Sequence, residues 1–129
     1  MAQNSLKNKK IIISAAASGI GLAILKDCLS RGAKLFICDN NQKFLNKLIK
    51  KYQSNKNLFI YKCDASNEIE VNNFFNKISV KTSKIDCLIN NVGIAGPTGT
   101  IEKISSKDWE KTLKVNVISH FYFSKLAIP

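Results

Sequence analysis

The chain has 129 residues, 20 basic against 9 acidic side chains, a formal charge of +11, 45% hydrophobic and 22% charged residues. This length allows one domain, and this composition is that of an ordinary globular protein rather than a disordered one. No stretch approaches the roughly 20 consecutive apolar residues of a membrane span, and the polar start Met1–Lys10 lacks the apolar run of a secretory signal, so a cytoplasmic location is expected.

Short apolar runs alternate with helical patterns along the chain. Lys10–Ser14 (KIIIS) is β-branched and continuous, as a buried parallel strand is. Ser18–Arg31 carries Ile20, Ala23, Ile24 and Cys28 at helical spacing, and Gly32 follows as a stop. Ala33–Asp39 reads as a second strand, and Asn41–Tyr52 as a helix with Phe44, Leu45, Leu48 and Ile49 on one face. Asn57–Cys63 is a third strand. Ser66–Val80 is a third helix, whose start at Ser66 and early acids Glu68 and Glu70 suit a positive helix N-terminus. Ile85–Asn90 is a fourth strand, followed by a Gly/Pro-rich loop over 91–104. Ser105 and Asp108 form a capping pattern for a last helix running to about Ala127.

The order β-α-β-α-β-α-β-α implies an α/β fold, a Rossmann-like doubly wound parallel sheet covered on both faces by right-handed crossovers. Ligands of such sheets bind at the carboxyl ends of the strands, near the switch in strand order. The informative positions are therefore 14–21, 39–41, 63–66 and 90–97.

The charge and the cysteines carry less. Of the 20 basic residues 19 are Lys and one is Arg31, and Lys, Ile and Asn together make 50 of 129 residues. All three have A/T-rich codons, and the lysines are scattered, whereas a nucleic-acid surface concentrates its Arg and Lys on one face. No nucleic-acid or membrane partner is expected. A basic nucleic-acid binder remains a rival reading that would show steeply salt-dependent binding. Cys28, Cys38, Cys63 and Cys87 match no metal or redox spacing, so four reduced, buried thiols and no metal site are expected.

After the first strand comes Ser14-Ala15-Ala16-Ala17-Ser18-Gly19-Ile20-Gly21. Gly19 and Gly21 allow close backbone approach to a pyrophosphate, and the following helix start offers free N–H groups to it. Asp39 ends the second strand 20 residues after Gly19. A carboxylate there accepts both ribose hydroxyls of an adenosine and repels a 2′-phosphate, which favours NAD over NADP; Lys43 lies nearby and softens that discrimination.

These residues resemble the N-terminal, cofactor-binding part of the short-chain dehydrogenase/reductase family. That family opens T-G-x-x-x-G-x-G, here SAAASGIG. Its adenine-contacting Asp matches Asp64, followed by Ala65. Its N-N-A-G motif matches Asn90-Asn91-Val92-Gly93, and its helix Asn matches Asn116 within Val115–Phe121, after the lead-in DWEKTLKVN. The resemblance implies hydride transfer between a nicotinamide and a secondary alcohol or carbonyl. It implies cofactor contacts from Ser14, Ser18, Gly19, Ile20, Gly21, Asp39, Asp64, Ala65, Asn90 and Gly93, and a catalytic role for Asn116. It also implies strand order 3-2-1-4 and self-association through the last helix.

There are three departures. Ala15 stands for the first family glycine and Val92 for the family alanine. The family's Ser and Tyr-x-x-x-Lys, which follow a fifth strand, have no match within the 129 residues. Tyr52…Lys56 fits by letters but lies at the wrong end of the sheet. Tyr122 and Lys125 share the helix of Asn116, and His120, the one histidine, reads as a packed or solvated side chain rather than a catalytic one. The expectation is a single domain over 1–129 whose sheet is unfinished at its C-terminus, inactive alone. The rival is a non-catalytic nucleotide-binding or interaction module.

Overall fold

In the computed structural model, residues 4–129 are described; Met1–Gln3 of the polar N-terminal stretch lie outside them. Four strands, β1 (Lys10–Ser14), β2 (Lys34–Asp39), β3 (Leu58–Lys62) and β4 (Cys87–Ile89), form one parallel sheet in the order 3-2-1-4. Five helices accompany them: α1 (Gly19–Ser30), α2 (Gln42–Lys51), α3 (Glu68–Ser79), α4 (Ser106–Leu113) and α5 (Ser119–Ala127).

Strand alternation divides the core into two layers. Ile11, Ile13, Leu35 and Ile37 pack with Leu25, Cys28, Leu45 and Leu48 of α1 and α2. Ile12, Phe36 and Cys38 point the other way, toward Val71, Phe74 and Ile78 of α3 and Phe123 of α5. The buried positions of β1 and β2 are therefore apolar on both faces up to their carboxyl ends, where Ser14 and Asp39 are buried polar residues, which explains their unbroken runs. Aromatic edges knit the second layer: Phe74 meets Phe123 at 5.8 Å and Tyr61 at 5.5 Å between ring centroids.

Four expectations change in detail. β4 holds three residues rather than six, because only β1 pairs with it. Cys87 on that strand is exposed, so the buried thiols are three, not four. Helix α3 is capped by Asn67, whose Oδ1 accepts from the Ile69 and Glu70 N–H groups; Ser66 is occupied with Asp64 instead. The last helix is interrupted by a π turn over Lys114–Ile118. The β-branched run Val115, Val117, Ile118 weakens regular helix there. The Ser105–Asp108 cap forms as expected, with Asp108 N–H donating to Ser105 Oγ at 3.1 Å.

Beneath the sheet, at the amino ends of the strands, Asp86 locks β1 to β4. Its Oδ2 accepts from the Lys10 N–H at 2.9 Å, and its own N–H donates to the Lys10 carbonyl at 2.8 Å. Lys84 and Lys9 lie within ion-pair range.

Candidate dinucleotide site

The loops that leave the carboxyl ends of the strands enclose a cleft of about 480 Å³. Ala15 comes from the turn after β1, Asp39 and Asn40 from β2, Asp64, Ala65 and Ser66 from the segment after β3, and Val92 and Gly93 from the loop after β4. Lys111, Lys114 and Val115 complete the wall from α4 and the π turn. The cleft thus lies beside β1, where the strand order reverses between β2 and β4.

The turn after β1 is tightly constrained. Asn91 donates from Nδ2 to the Ser14 and Ala15 carbonyls, at 3.2 and 3.0 Å. Its N–H donates to Ser14 Oγ at 3.0 Å. A Cβ on Gly21 would collide with the Ala15 carbonyl and the Asn91 amide, so only glycine lets α1 start this close to the sheet. Gly19 is needed for a different reason: its φ is +54°, while the space around it is open. Ala15 also sits at positive φ, +52°, a left-handed conformation that costs a residue with a Cβ about 1–2 kcal/mol. The family glycine is missing from a position where the backbone still adopts the glycine conformation.

Ser18 makes no side-chain cap on α1, so the first-turn N–H groups of that twelve-residue helix are open to an anion. Ser18 and Gly19 line a second hollow of about 290 Å³ between α1 and α2. Ile20 is 75% exposed beside them.

Asp39 is 8% exposed and pinned by two backbone donors, the Ala17 N–H on Oδ2 at 3.0 Å and the Asn41 N–H on Oδ1 at 2.9 Å. A carboxylate offers about four acceptor sites, so each oxygen can still take a hydroxyl proton. Among the described residues no Lys or Arg lies within ion-pair distance of Asp39, Lys43 included. Asp64 is held on one side only. Its Oδ1 accepts from the Ser66 N–H and hydroxyl, its backbone N–H donates to Glu70 Oε2, and its Oδ2 is left open.

The remaining expected residues split. Gly93 lines the cleft, with Asn116 Oδ1 close by. Ser14 is buried, and its hydroxyl links β1 to β4 by donating to the Ile89 carbonyl and accepting from Asn91. Asn90 donates to Ser124 Oγ at 3.2 Å, while its buried Oδ1 has no partner. Asn116 sits in the π turn with both amide atoms on one backbone unit: Oδ1 accepts from the Ile94 N–H at 2.7 Å, and Nδ2 donates to the Ile94 carbonyl at 2.8 Å. His120 donates from Nε2 to the Val92 carbonyl at 2.9 Å, which fixes the loop that forms the cleft floor. Tyr52 lies at the far end of α2, before β3 begins.

Asn91, Lys111 and Lys114 were not singled out from the sequence. Asn91 lay inside a quoted motif. The two lysines stand three apart on one helical face, next to Asn116, which is a readable signal once the helix is placed.

The family described as short chain dehydrogenase matches residues 9–129. The chain belongs to the short-chain dehydrogenase/reductase family. The CLA biosynthesis dehydrogenase/reductase of Lactiplantibacillus plantarum is 33% identical over 124 residues, covering 95% of this chain and 43% of that protein. The 15-hydroxyprostaglandin dehydrogenase [NAD(+)] of Bos taurus is 31% identical over 118 residues, 88% of this chain and 41% of its own length. The solved RhlG/NADP active-site complex of Pseudomonas aeruginosa superposes on all of this chain and half of its own, with TM-score 0.87 and 22% identity, a likeness of fold. The chain therefore spans somewhat under half the length of these two curated relatives. Among the described residues no helix is long and apolar enough to cross a membrane.

Proposed function

We propose that the 129 residues are the dinucleotide-binding half of a short-chain dehydrogenase/reductase and that they take NAD(H) in preference to NADP(H). One observation carries this reading: Asp39 at the end of β2 and Asp64 two residues beyond the end of the adjacent β3 line one cleft at the strand-order switch, and both keep acceptor sites free. Asp39 would hold the adenosine ribose, Asp64 and Ala65 the adenine, and the open start of α1 at Ser18, Gly19, Ile20 and Gly21 the pyrophosphate. Gly93 and Asn90 would floor the nicotinamide end, with Ser14 acting through Asn91. With no Lys or Arg of the described residues within ion-pair distance, the buried Asp39 charge faces any 2′-phosphate. Relatives fall on both sides, since one is a dehydrogenase named for NAD(+) and one structure holds NADP.

A bound nicotinamide supplies hydride transfer to or from a secondary alcohol or carbonyl. Of the family's catalytic positions these residues hold only Asn116, which orders the Ile94 backbone beside the cleft. The chain alone therefore turns over no substrate, and its place in the cell is the cytoplasm.

The test is thermal unfolding of the purified chain with and without NADH. Binding to the folded state alone adds RT ln(1 + [L]/Kd), about 2.7 kcal/mol at a hundredfold excess over Kd, and raises the midpoint. An unchanged midpoint at millimolar NADH removes the reading. NADH formation from NAD and any secondary alcohol by this chain removes the claim of inactivity.

A further inference from the structure

Each of the two strand-end carboxylates is preceded by a thiol. Cys38 comes before Asp39 at the end of β2, and Cys63 before Asp64 just beyond β3. Both thiols belong to one core cluster, both line the 480 Å³ cleft, and they are 1% and 2% exposed. Alternation explains the meeting. Cys38 is in register with Tyr61, and Cys63 lies two residues past Tyr61, so both side chains leave the same face of the sheet. The backbone ties the segments as well: the Cys63 N–H donates to the Asp39 carbonyl at 3.0 Å. Cys38 in turn abuts the glycine-motif turn, with the Ala16 N–H donating to its carbonyl at 3.1 Å.

We propose, on the basis of the dinucleotide reading above, that Cys38 and Cys63 are a redox-responsive dithiol beneath the adenosine end of the cleft, which a hydroperoxide converts to a disulfide that displaces Asp64 and weakens dinucleotide binding.

The chemistry balances with one peroxide. The thiolate of one cysteine attacks a peroxide oxygen, the O–O bond breaks, and hydroxide takes up the thiol proton and leaves as water. The second thiol attacks the sulfenic sulfur, the S–S bond forms, the S–O bond breaks, and the hydroxyl leaves as a second water with that thiol's proton. The two thiols lose two electrons and two protons, and hydrogen peroxide gains both.

Geometry supplies the consequence. Two residues of strand rise across one inter-strand spacing of a parallel pair separate the Cα atoms by about 8 Å, while a disulfide holds them at about 4.4–6.8 Å. Closing the bond therefore draws the two segments together. The movement falls on Cys63 and Asp64, which lie outside the β3 ladder, rather than on the paired residues of β2. Contact with the Cys63 thiol, then burial, push the Cys38 thiol well above its ordinary pKa. It is therefore protonated at neutral pH, oxidises slowly there and faster as pH rises. The reagent reaches the pair through the cleft, so a bound dinucleotide shields it.

The experiment treats the reduced chain with hydrogen peroxide, with and without NADH, alkylates the remaining thiols, and maps the peptides by mass. NADH binding is titrated before treatment, after it, and after dithiothreitol. The expected result is a peptide pair joined through residues 38 and 63 and lighter by two hydrogen atoms, formed more slowly with NADH present. NADH binding weakens at least about tenfold and returns on reduction. Cys63→Ser, compared with its own untreated state, shows no reversible response to peroxide. Two free thiols after treatment, separate sulfinic acids at both positions, or a 38–63 bond that leaves NADH affinity unchanged each overturn the proposal. Should the untreated chain bind no NADH, the dinucleotide reading fails, and the mass map still decides the dithiol: a 38–63 bond supports it as a modification site and its absence removes it.

Discussion

The two flanks of β1 are built to different standards. On one side β1 pairs with β2, and β2 with β3, over five residue pairs each, with apolar residues buried on both faces. On the other side β4 pairs over three residues, with Cys87 exposed, Asn90 Oδ1 buried without a partner, and Phe121 on α5 and Val117 on the π turn exposed at 59% and 58%. The residues proposed for the adenosine end, Asp39 and Asp64, stand on the well-packed flank. Those proposed for the nicotinamide end, Asn90, Gly93 and Asn116, stand on the thin one. The lesson is that recognition of one half of a dinucleotide can be rigid where the other half's surroundings are not, because burial, not motif, fixes a side chain in place.

Substitutions can break or sharpen this contrast. The largest effect is expected at Phe123, the fully buried aromatic of α5 in the well-packed layer. Phe123→Ala should cost about 3–5 kcal/mol in chemical denaturation, whereas Phe121→Ser, on the exposed side of the same helix, should change stability by about 0.5 kcal/mol or less. Equal losses would show the two flanks to be packed alike. Next comes Gly21→Ala, which forces a methyl onto the Ala15 carbonyl and the Asn91 amide. A cost of about 1–3 kcal/mol from overpacking is expected, together with loss of NADH binding by titration; a neutral outcome would mean that α1 can slide away from the sheet. Ala15→Gly works in the opposite direction. Relief of the +52° φ should stabilise by about 1 kcal/mol, read as a higher unfolding midpoint.

The smallest effect is electrostatic. The Lys10 N–H, helped by Lys84 and Lys9, holds the Asp86 carboxyl below its ordinary pKa. A depressed carboxyl adds stability above its unfolded value, about 3.9, and that contribution is lost as pH falls through the lower folded value. The two lysines that face Asp86 are exposed, so their share of the effect is small and salt-sensitive. Asp86→Asn should flatten the acid limb of a midpoint-against-pH curve; an unaltered limb assigns the acid sensitivity elsewhere.

The well-packed flank was also the legible one. The strands β1, β2 and β3 and the residues at their ends follow from unbroken apolar runs and local spacing, because each is buried by neighbours close in sequence order. The π turn was not legible, since it accompanies the double bond from Asn116 to the Ile94 backbone, 22 residues away. The cap of α3 falls on Asn67, one residue beyond the Ser66 that the sequence suggests, because two cap-competent side chains compete and Asp64 engages Ser66, leaving Asn67 free to cap. The exposure of Cys87 could not be read from an apolar run, because whether such a strand is covered depends on what pairs with its outer edge. Ser14 carries a motif position, yet its hydroxyl is spent within the protein; letters give a residue's place and packing gives its partners.

The central claim is that this cleft takes an adenosine with a free ribose 2′-hydroxyl, held by Asp39. Parallel calorimetric titrations of the chain with NADH and NADPH test it most directly. NADH should bind at least about tenfold more tightly than NADPH, and Asp39→Ala should erase that difference. NADPH binding as tightly as NADH, or more tightly, would contradict the account.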